Sequence, residues 1–502
     1  MLLVQPPSPV RDVISLEGTE IPLNLAYLAA AIQHPRKVID AYGSPIEAHV
    51  KDFGENEAPK AQILDMQLYH YPWKILKKVI RSFKPDIMGI TAVTVQASFV
   101  EDVARIGKDL QEDLLTVFGG VHASALVEKS LREMPSIDVI VSGEGEVTFL
   151  EICSLRAQIS SIPNREIIFK TFKDVAGIGI REEYGSGMWT SPARPLIKYL
   201  DLLPFPSREL LQNNIYRPLF VNYKTLPSTG ILSSRGCPYN CSFCSKAVFK
   251  NSFRLRSPHN VLDEMKTCEK QFGMRDFRFF DDAVTINKKW LKTFCKLLID
   301  EGSRFSWNAF SRVSDVSYPL LRLMKEAGCY HVKYGVETGS PLILQKMQKK
   351  TTLQQARDAI KNTERAGLES IANFILNYPG ESMQSINKTI AFAKELNPTY
   401  AQFFMLKPLP GSRLYMEALS RNTIMHENWK LYGEEDPPLL RDQHPEEAVR
   451  GLLRRAYNQY YLRPRYLISR AKAFLRFPSL CKVRQLMGGI KTFIPRGRIS
   501  RE

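Results

Sequence analysis

Four stretches in the first third of the sequence decide the fold of that region: KPDIMGITAVT (84–94), FVEDVARIGKDLQ (99–111), LLTVFGGVHAS (114–124) and IDVIVSGEGE (137–146). Three of them are short apolar runs that end in polar or glycine-bearing turns, as strands do. The other has the spacing of apolar residues that is typical of an amphipathic helix. This alternation predicts a parallel sheet covered by helices on both faces, with ligands bound beyond the carboxyl ends of the strands.

The same alternation continues towards the N-terminus. Strands are predicted in LLVQPP (2–7) and QILDMQ (62–67), and helices in LNLAYLAAAIQ (23–33) and over 73–82. We therefore predict an α/β, doubly wound, Rossmann-like domain over residues 1–150, with a surface insertion at about 40–60. Residues 151–225 are less regular and are predicted to link this domain to a second one.

A second alternation begins at about residue 226. Six strand–helix units over 226–420 predict a partial (β/α)6 barrel, in which active groups lie at the C-terminal ends of the strands. Residues 421–502 are predicted to be mostly helical. The polar residues at or just beyond the predicted strand ends are Asp281, Asp282, Arg312, Glu337 and Glu381.

The charge of the chain is concentrated at one end. The 502 residues are 44% apolar, which excludes disorder of the whole chain, and carry a formal charge of +17. Residues 450–502 contain fourteen Lys and Arg and one acidic residue, so the preceding residues carry only about +4. Three uses of this basic tail stay open: a packed helix with a solvated face, contact with an anionic membrane surface, or nucleic-acid binding.

The location of the protein follows from what the sequence lacks. No run of about eighteen apolar residues is present, and the N-terminus has no secretory signal pattern. We therefore expect a cytoplasmic protein, with peripheral contact to the inner face of the membrane as an open alternative.

Three of the eight cysteines fall within eight residues, in the sequence Cys237-Pro-Tyr-Asn-Cys241-Ser-Phe-Cys244. Three thiolates in one tight loop can hold three irons of a cubane cluster and leave the fourth iron open to a small molecule. A structural zinc site would need a fourth ligand, and no further Cys or His stands at a suitable spacing. A chance cluster of thiols is the remaining alternative.

This C-x3-C-x2-C spacing after a strand resembles the signature of the radical S-adenosylmethionine enzymes. The resemblance extends to the subclass with an N-terminal cobalamin-binding domain, which includes class B methyltransferases and is related to the anaerobic magnesium-protoporphyrin cyclases. The stretches that carry it are GITAVTVQ (89–96), FGGVHAS (118–124), SGEGE (142–146), RPLIKYLDLLPFPSREL (194–210), FRFFDDAVT (277–285), YGVETGS (334–340), NFILNYPGES (373–382), KPLPGSRLY (407–415) and YNQYYLRPRYL (457–467).

The resemblance implies a 4Fe-4S cluster, S-adenosylmethionine and cobalamin as cofactors. Tyr239 and Phe243 would shield the cluster or stack near adenine, with plain loop packing as the alternative. An external electron donor such as flavodoxin or ferredoxin would reduce the cluster. The cluster ligands would be Cys237, Cys241 and Cys244.

The resemblance also implies which residues hold S-adenosylmethionine. Asp281 or Asp282 would hold the methionine amino group, because a carboxylate complements an ammonium. Arg312 would pair with the methionine carboxylate through its planar fork, and Glu337 would bind the ribose hydroxyls. Asn377 and Gly380 would belong to the turn on the adenine side. The alternatives are solvated strand-end carboxylates, an ordinary surface arginine and a plain buried ion pair.

The cobalamin domain departs from the usual pattern. Where many cobalamin folds carry Asp-x-His-x-x-Gly, this chain has Asp65-Met66-Gln67-Leu68-Tyr69-His70, so Gln67 stands at the position of the cobalt ligand. We therefore expect no histidine on cobalt, which favours methyl transfer. A flavodoxin-like domain that has lost its ligand is the alternative. The candidate contacts to cobalamin are Thr91, Thr94, Gly119, Gly120, His122, Gly143 and Glu144.

Together these patterns predict a cobalamin-dependent radical methyltransferase. It would move a methyl group from methylcobalamin to an unactivated carbon of a hydrophobic small molecule, lipid or tetrapyrrole-like. An oxidative cyclase of the magnesium-protoporphyrin monomethyl ester type and a P-methylase are alternatives with the same cofactors. A cobalamin-binding regulator with a vestigial barrel is the alternative from another class. We expect no nucleic-acid partner.

Overall fold

A computed structural model describes residues 1–8, 18–44, 59–159, 164–219, 221–426, 428–433 and 439–469. Most of the insertion expected at 40–60, and the basic tail beyond residue 469, lie outside these residues. The strands are β1 (Leu2–Gln5), β2 (Gln62–Asp65), β3 (Ile87–Thr91), β4 (Leu115–Gly119), β5 (Val139–Val141), β6 (Ile178–Arg181), β7 (Met188–Thr190), β8 (Ser228–Ile231), β9 (Ser234–Arg235), β10 (Arg254–Leu255), β11 (Asp276–Phe279), β12 (Ser306–Arg312), β13 (Cys329–Glu337), β14 (Glu369–Leu376) and β15 (Tyr400–Met405).

Helices separate consecutive strands from β1 to β6 and from β10 to β15, in the expected alternation. Several begin at side-chain caps: Ser257 accepts a hydrogen bond from Asn260 N, and Thr352 forms a capping box with Gln355. No helix among the described residues is long and apolar enough to cross a membrane. The α-helices are Leu23–Gln33, Pro35–Tyr42, Pro72–Phe83, Val100–Leu110, Val121–Ala125, Val127–Glu133, Gly145–Arg156, Arg165–Phe172, Pro258–Phe272, Lys288–Asp300, Tyr318–Glu326, Pro341–Lys346, Leu353–Arg365, Met383–Leu396, Arg413–Ser420, Glu446–Val449 and Leu452–Tyr461.

The first sheet has seven strands in the order β2-β1-β3-β4-β5-β6-β7. Its first five strands are parallel, in the order of a doubly wound, flavodoxin-like sheet. Residues of β1 alternate between two cores: Leu2 and Val4 belong to one face, and Leu3 to the other. Helices therefore cover both faces, and the predicted fold class is confirmed.

The first sheet continues past residue 150, where we expected its domain to end. The strand β6 pairs antiparallel with β5, and β7 pairs antiparallel with β6. Ile178 and Ile180 of β6 join the core that lies against the helix Gly145–Arg156. Part of the segment 151–225 thus belongs to this sheet, because its short strands find an open edge at β5 that local sequence patterns do not reveal.

The second sheet has six strands, all parallel, in the order β15-β14-β13-β12-β11-β8. Its open edge at β15 is covered by the helix Leu452–Tyr461. Tyr457 Oη lies 3.2 Å from both Phe403 N and Phe403 O, and Tyr461 donates a hydrogen bond to Ala401 O at 2.9 Å. These hydroxyls satisfy backbone groups that an edge strand would otherwise expose.

Buried ion pairs join the two halves of the chain. Arg235 of β9 contacts Glu144 and Glu146 at 2.6 Å each, and Arg254 contacts Glu144 at 2.9 Å. The carboxylates come from the end of the first sheet, and the arginines come from β9 and β10, the two strands that flank the cysteine loop. The carboxyl ends of the two sheets therefore face a shared space.

Candidate active site

The three cysteines lie in the loop that follows β9. The loop begins at Gly236, whose φ is +85° and where a Cβ atom would lie 2.3 Å from Ser252 O, so only glycine fits. All three thiols are free and partly buried. Lys246 donates a hydrogen bond to Cys237 O at 2.7 Å and holds the loop closed. Burial raises the pKa of the Cys237 thiol, and raises that of Cys244 to about 11.

This loop suits an iron–sulfur cluster. Among the described residues no three His, Cys, Asp or Glu side chains converge closely enough to hold one metal ion. A cubane cluster places its thiolates on separate irons and so needs them further apart. Three free, half-buried thiols in one loop supply that donor set, and their protons would leave as the metal binds.

Arg312, at the end of β12, lies directly against the cysteine loop. Its Nη1 atom is 3.6 Å from Cys241 Sγ, and its guanidinium carbon is 3.7 Å from the centre of the Tyr239 ring. Nη2 donates a hydrogen bond to Lys349 O, while Nε is buried and has no hydrogen-bond partner among the residues that the structure describes. This unused donor beside Cys241 is available to an anionic group such as a carboxylate.

The two aspartates after β11 have different surroundings. Asp281 is buried and accepts hydrogen bonds from Ser233 N at 3.0 Å and from Ser233 Oγ at 2.7 Å, and a further one from Ser234. Burial raises the pKa of Asp281, and these donors oppose the rise. Its carboxylate thus anchors the turn between β8 and β9.

Asp282, the next residue, is exposed. Desolvation there raises the pKa of its carboxyl, while the charge of Lys246 lowers it. The charge of Asp282 in turn raises the pKa of Cys237 and of Cys244, which places it near both thiols. Of the two aspartates, Asp282 is the one that can receive an ammonium group.

Glu337 ends β13 in the left-handed region, at φ +72°, beside an irregularity in the strand. Lys349 donates a hydrogen bond to its Oε1 atom at 2.6 Å, and both side chains are buried. A Cβ atom on Gly335 would lie 2.2 Å from that oxygen, so glycine makes room for the pair. Glu337 is therefore part of a buried ion pair that adjoins the site.

Hydrogen bonds with Asp442 and His444 fix the turn that follows β14. Asn377 is buried at φ +60°, and its Oδ1 atom accepts a hydrogen bond from His444 N at 2.9 Å. Gly380 N donates to Asp442 O at 2.9 Å. The Asn377 side chain therefore shapes the turn rather than projecting from it. Burial raises the pKa of Glu381, next in the turn, to about 7.

One large cavity lies between the two sheets, with a volume of about 1020 Å³. Gly119, Gly120 and Gly143 line its wall at the ends of β4 and β5. A Cβ atom on Gly143 would meet nothing within 4 Å, so the absence of side chains leaves an open, smooth wall there. Such a wall fits a broad, flat ligand such as a corrin.

The other candidate contacts to cobalamin divide into two groups. Thr91 and Glu144 line the cavity, but Glu144 is held by Arg235, Arg254 and the backbone N–H of Ile197. Thr94 and His122 lie outside the lining, where His122 packs edge-on against Trp429 at 4.9 Å. Burial and Lys129 lower the pKa of His122 to about 4.

The stretch from Asp65 to His70, which replaces the usual cobalt-ligand motif, lies partly at the cavity. Gln67 lines the cavity and contacts Asp65, whereas His70 is exposed and lies outside the lining. That no histidine binds cobalt stays a prediction.

Sequence reasoning did not find two of the residues that shape the site. Lys349 links Arg312 to Glu337, and it stands in a run of polar residues without a motif. Arg235 joins the two halves of the chain, and its only signal is its position before Gly236. Partners this distant in sequence become visible only in the folded chain.

Comparison with known proteins matches each half of the chain to a known domain family. Residues 11–153 match the B12 binding domain, and residues 231–393 match the radical SAM superfamily. An uncharacterized methyltransferase of Pyrococcus horikoshii is 34% identical over 93% of this chain and 94% of its own length. The anaerobic magnesium-protoporphyrin IX monomethyl ester cyclase of Rubrivivax gelatinosus is 32% identical over 84% of this chain and 73% of its own.

Two solved structures share the fold. The radical S-adenosylmethionine methyltransferase TsrM of Kitasatospora setae, with cobalamin and a [4Fe-4S] cluster bound, matches with a TM-score of 0.63 at 17% identity, over 84% of this chain and 74% of that one. The cobalamin-dependent S-adenosylmethionine radical enzyme OxsB matches with a TM-score of 0.68 at 16% identity, over 98% and 70%. The chain therefore belongs to the cobalamin-dependent radical S-adenosylmethionine enzymes, a family that includes methyltransferases, and it takes a 4Fe-4S cluster, S-adenosylmethionine and cobalamin.

Proposed function

We propose that this enzyme transfers a methyl group to an unactivated carbon of a hydrophobic small molecule. The observation that carries the proposal is the large cavity between the sheets. The glycine wall of the first sheet and side chains of the second, including Phe404 and Gln402, line the same space. A methyl donor held by the first sheet would face a substrate held by the second.

Different residues of the chain would hold the two cofactors. The loop Cys237–Cys244 would hold the cluster, and Arg312, Asp282 and Glu337 would bind and orient S-adenosylmethionine beside it. When bound, these cofactors supply a carbon-centred radical from S-adenosylmethionine and a transferable methyl group from cobalamin. Phe404, which is exposed towards the cavity, supplies apolar surface that excludes water from reactive species.

Two partners of this reaction are also proposed. Reduction of the cluster requires an external electron donor such as a flavodoxin or a ferredoxin. Contact between the basic C-terminal segment and an anionic membrane would bring the enzyme to a lipid-soluble substrate, and this contact stays a prediction.

Product analysis after anaerobic reconstitution tests the reaction type. A methyltransferase forms S-adenosylhomocysteine together with 5′-deoxyadenosine. An oxidative cyclase, which the relative from Rubrivivax gelatinosus makes the second candidate, forms 5′-deoxyadenosine without S-adenosylhomocysteine. The absence of both products from a reducible, cobalamin-loaded protein would support a regulator instead.

Cysteine variants test the cluster site. Cys241→Ala is expected to abolish 5′-deoxyadenosine formation and to lower the iron and sulfide content. Cys268→Ala is the matched control, because this cysteine is buried in the helix Pro258–Phe272 away from the loop. Unchanged cleavage in Cys241→Ala would refute the assignment of the loop.

A further inference from the structure

We infer that the outer surface around the cysteine loop is the docking site of the electron donor, a small acidic protein that carries one electron at a time. Two segments form this surface, named the carrier face: the helix Pro341–Lys346 with the turn that follows it to Lys350, and the helix Arg413–Ser420 with Arg421. The inference rests on the proposed reduction of the cluster by an external donor, and it specifies where that donor binds and which charge it bears.

Ser242 holds both segments against the cysteine loop. Its backbone N–H donates a hydrogen bond to Met347 O at 2.9 Å, and its carbonyl oxygen accepts one from Leu414 N at 2.8 Å. Phe243, the next residue, packs against a small core that both segments share. A single layer of helix, about 10–12 Å across with its side chains, therefore lies between Ser242 and the outer side of the face. The members of the shared core from the carrier face are Ile343, Met347, Leu414 and Ala418.

The carrier face bears an excess of positive charge. Its two segments contain five Lys and Arg and one acidic residue. That acidic residue, Glu417, is already paired with Arg413 at 2.6 Å. Lys346, Lys350 and Arg421 are exposed, and none of them forms a salt bridge with the residues that the structure describes. Exposed cations of this kind attract an acidic protein and hasten its approach.

One carboxyl lies close enough to Lys346 to feel its charge. Burial raises the pKa of Glu381 to about 7, and the charge of Lys346 opposes that rise. At pH 7 a carboxyl with this pKa is about half ionised, so it balances the lysine only in part. The Nζ atom of Lys346 itself contacts a neutral group, Gly380 O, at 3.3 Å. The carrier face therefore keeps its positive charge at neutral pH.

Exposed apolar side chains lie beside these cations. Leu342 exposes 61% of its surface, Met416 58% and Leu419 42%. Each of them stands on a helix whose other side contributes to the shared core. Exposed apolar residues rimmed by charged ones are typical of a protein interaction site. The face can therefore bury apolar surface of a partner while its cations meet the carboxylates of that partner.

The position of the face favours an electron carrier over other acidic partners. Pro238 and Asn240, which stand between the cysteines, are exposed, so part of the loop is itself at the surface. A protein docked on the carrier face would bring its redox group close to the thiols. One electron would pass from the reduced carrier, which is oxidised, to the cluster, which is reduced, and no bond forms or breaks in this step. An anionic membrane or a second copy of the chain gains nothing from binding beside the cluster.

Isothermal titration calorimetry of the reconstituted, cobalamin-loaded enzyme measures docking without turnover. The probes are an acidic flavodoxin and an acidic 2Fe-2S ferredoxin, and at least one of them is expected to bind. Its affinity should fall about fivefold or more when the ionic strength rises from about 0.05 M to about 0.2 M, because salt screens exposed charges. Lys350→Glu should weaken this binding about tenfold, and Met416→Ser should also weaken it. Lys325→Glu, at an exposed lysine of the helix Tyr318–Glu326, is the matched control and should leave the affinity unchanged.

Rates of 5′-deoxyadenosine formation distinguish docking from chemistry. With the reduced carrier as the electron source, Lys350→Glu is expected to be about tenfold slower than wild type. With dithionite, a small reductant that needs no docking face, the two rates should be equal. An equal loss of rate with dithionite would assign Lys350 to the catalytic site and overturn the inference.

Three binding results would also overturn it. They are the binding of neither carrier, equal carrier affinity of wild type and Lys350→Glu, and a loss in Lys350→Glu of binding to anionic phospholipid vesicles or of self-association while carrier binding survives. A wild-type enzyme that is inactive with dithionite would contradict the proposed function alone, because calorimetry would still decide where the carrier docks.

Discussion

Removal of the Arg235 side chain should destabilise the protein, because this side chain joins the two halves of the chain. The Arg235 guanidinium contacts Glu144 and Glu146 at 2.6 Å each, and only 8% of its side chain is exposed. Arg235→Met keeps much of the packing but leaves two buried carboxylates with one remaining cation, Arg254. Breaking a buried pair in this way costs about 3–5 kcal/mol, because the charge left behind has lost its water and its partner.

The effect has a defined pH dependence. Burial raises the pKa of Glu144, but the guanidiniums of Arg235 and Arg254 outweigh burial and lower it below 4.5. A carboxylate with a lowered folded-state pKa stabilises the fold fully above its unfolded value. That contribution is lost as the pH falls through the folded-state pKa. The difference between wild type and variant should therefore be full at pH 7 and shrink below about pH 4.5.

Urea unfolding followed by circular dichroism measures this difference from the shift in midpoint. Arg105→Met is the control, since the Arg105–Asp102 pair is exposed and should contribute nothing measurable. A loss below about 1 kcal/mol at pH 7, or a loss that is constant down to pH 3, would refute the reasoning, because a buried pair predicts neither.

Two further changes test the site, and a third tests the burial of His122. Gly119→Val adds a side chain to the cavity wall, where the nearest atom to a Cβ is 3.7 Å away. The variant should bind cobalamin at least tenfold more weakly, while its iron content, the control, stays constant. Unchanged cobalamin affinity would contradict the placement of the corrin. Arg312→Lys keeps the charge but loses the planar guanidinium beside Cys241, so the rate of 5′-deoxyadenosine formation should fall at least tenfold. Arg322→Lys, at an exposed arginine, is the control. An unchanged rate in Arg312→Lys would show that Arg312 does not belong to the site. Burial lowers the pKa of His122 to about 4, against 6.5 in the unfolded chain, so the free energy of unfolding should fall by up to about 3 kcal/mol as the pH falls from 6.5 to 4. In His122→Phe, this dependence of the unfolding midpoint on pH should be weaker. An unchanged pH dependence would contradict the burial argument.

Much of the fold was predictable because it is encoded locally. Alternating apolar strands and amphipathic helices give the parallel sheets, since the pattern of buried faces repeats within each element. The antiparallel strands β6 and β7 escaped prediction for the opposite reason. They are short, and β6 joins the first sheet at an edge strand about 40 residues earlier, β5, before β7 adds to β6.

By itself, the sequence determined the chemistry of the cysteine loop. The spacing of Cys237, Cys241 and Cys244 brings three thiols into one loop whatever the rest of the chain does. The roles of the charged residues were decided by the tertiary structure. Asp281 and Asp282 are neighbours in sequence, yet one is enclosed by serine donors and the other is exposed to the site. Arg278 and Lys333 share a ring only because parallel strands bring them together. Burial and distant partners set what a charged group can do, and both exist only in the folded chain.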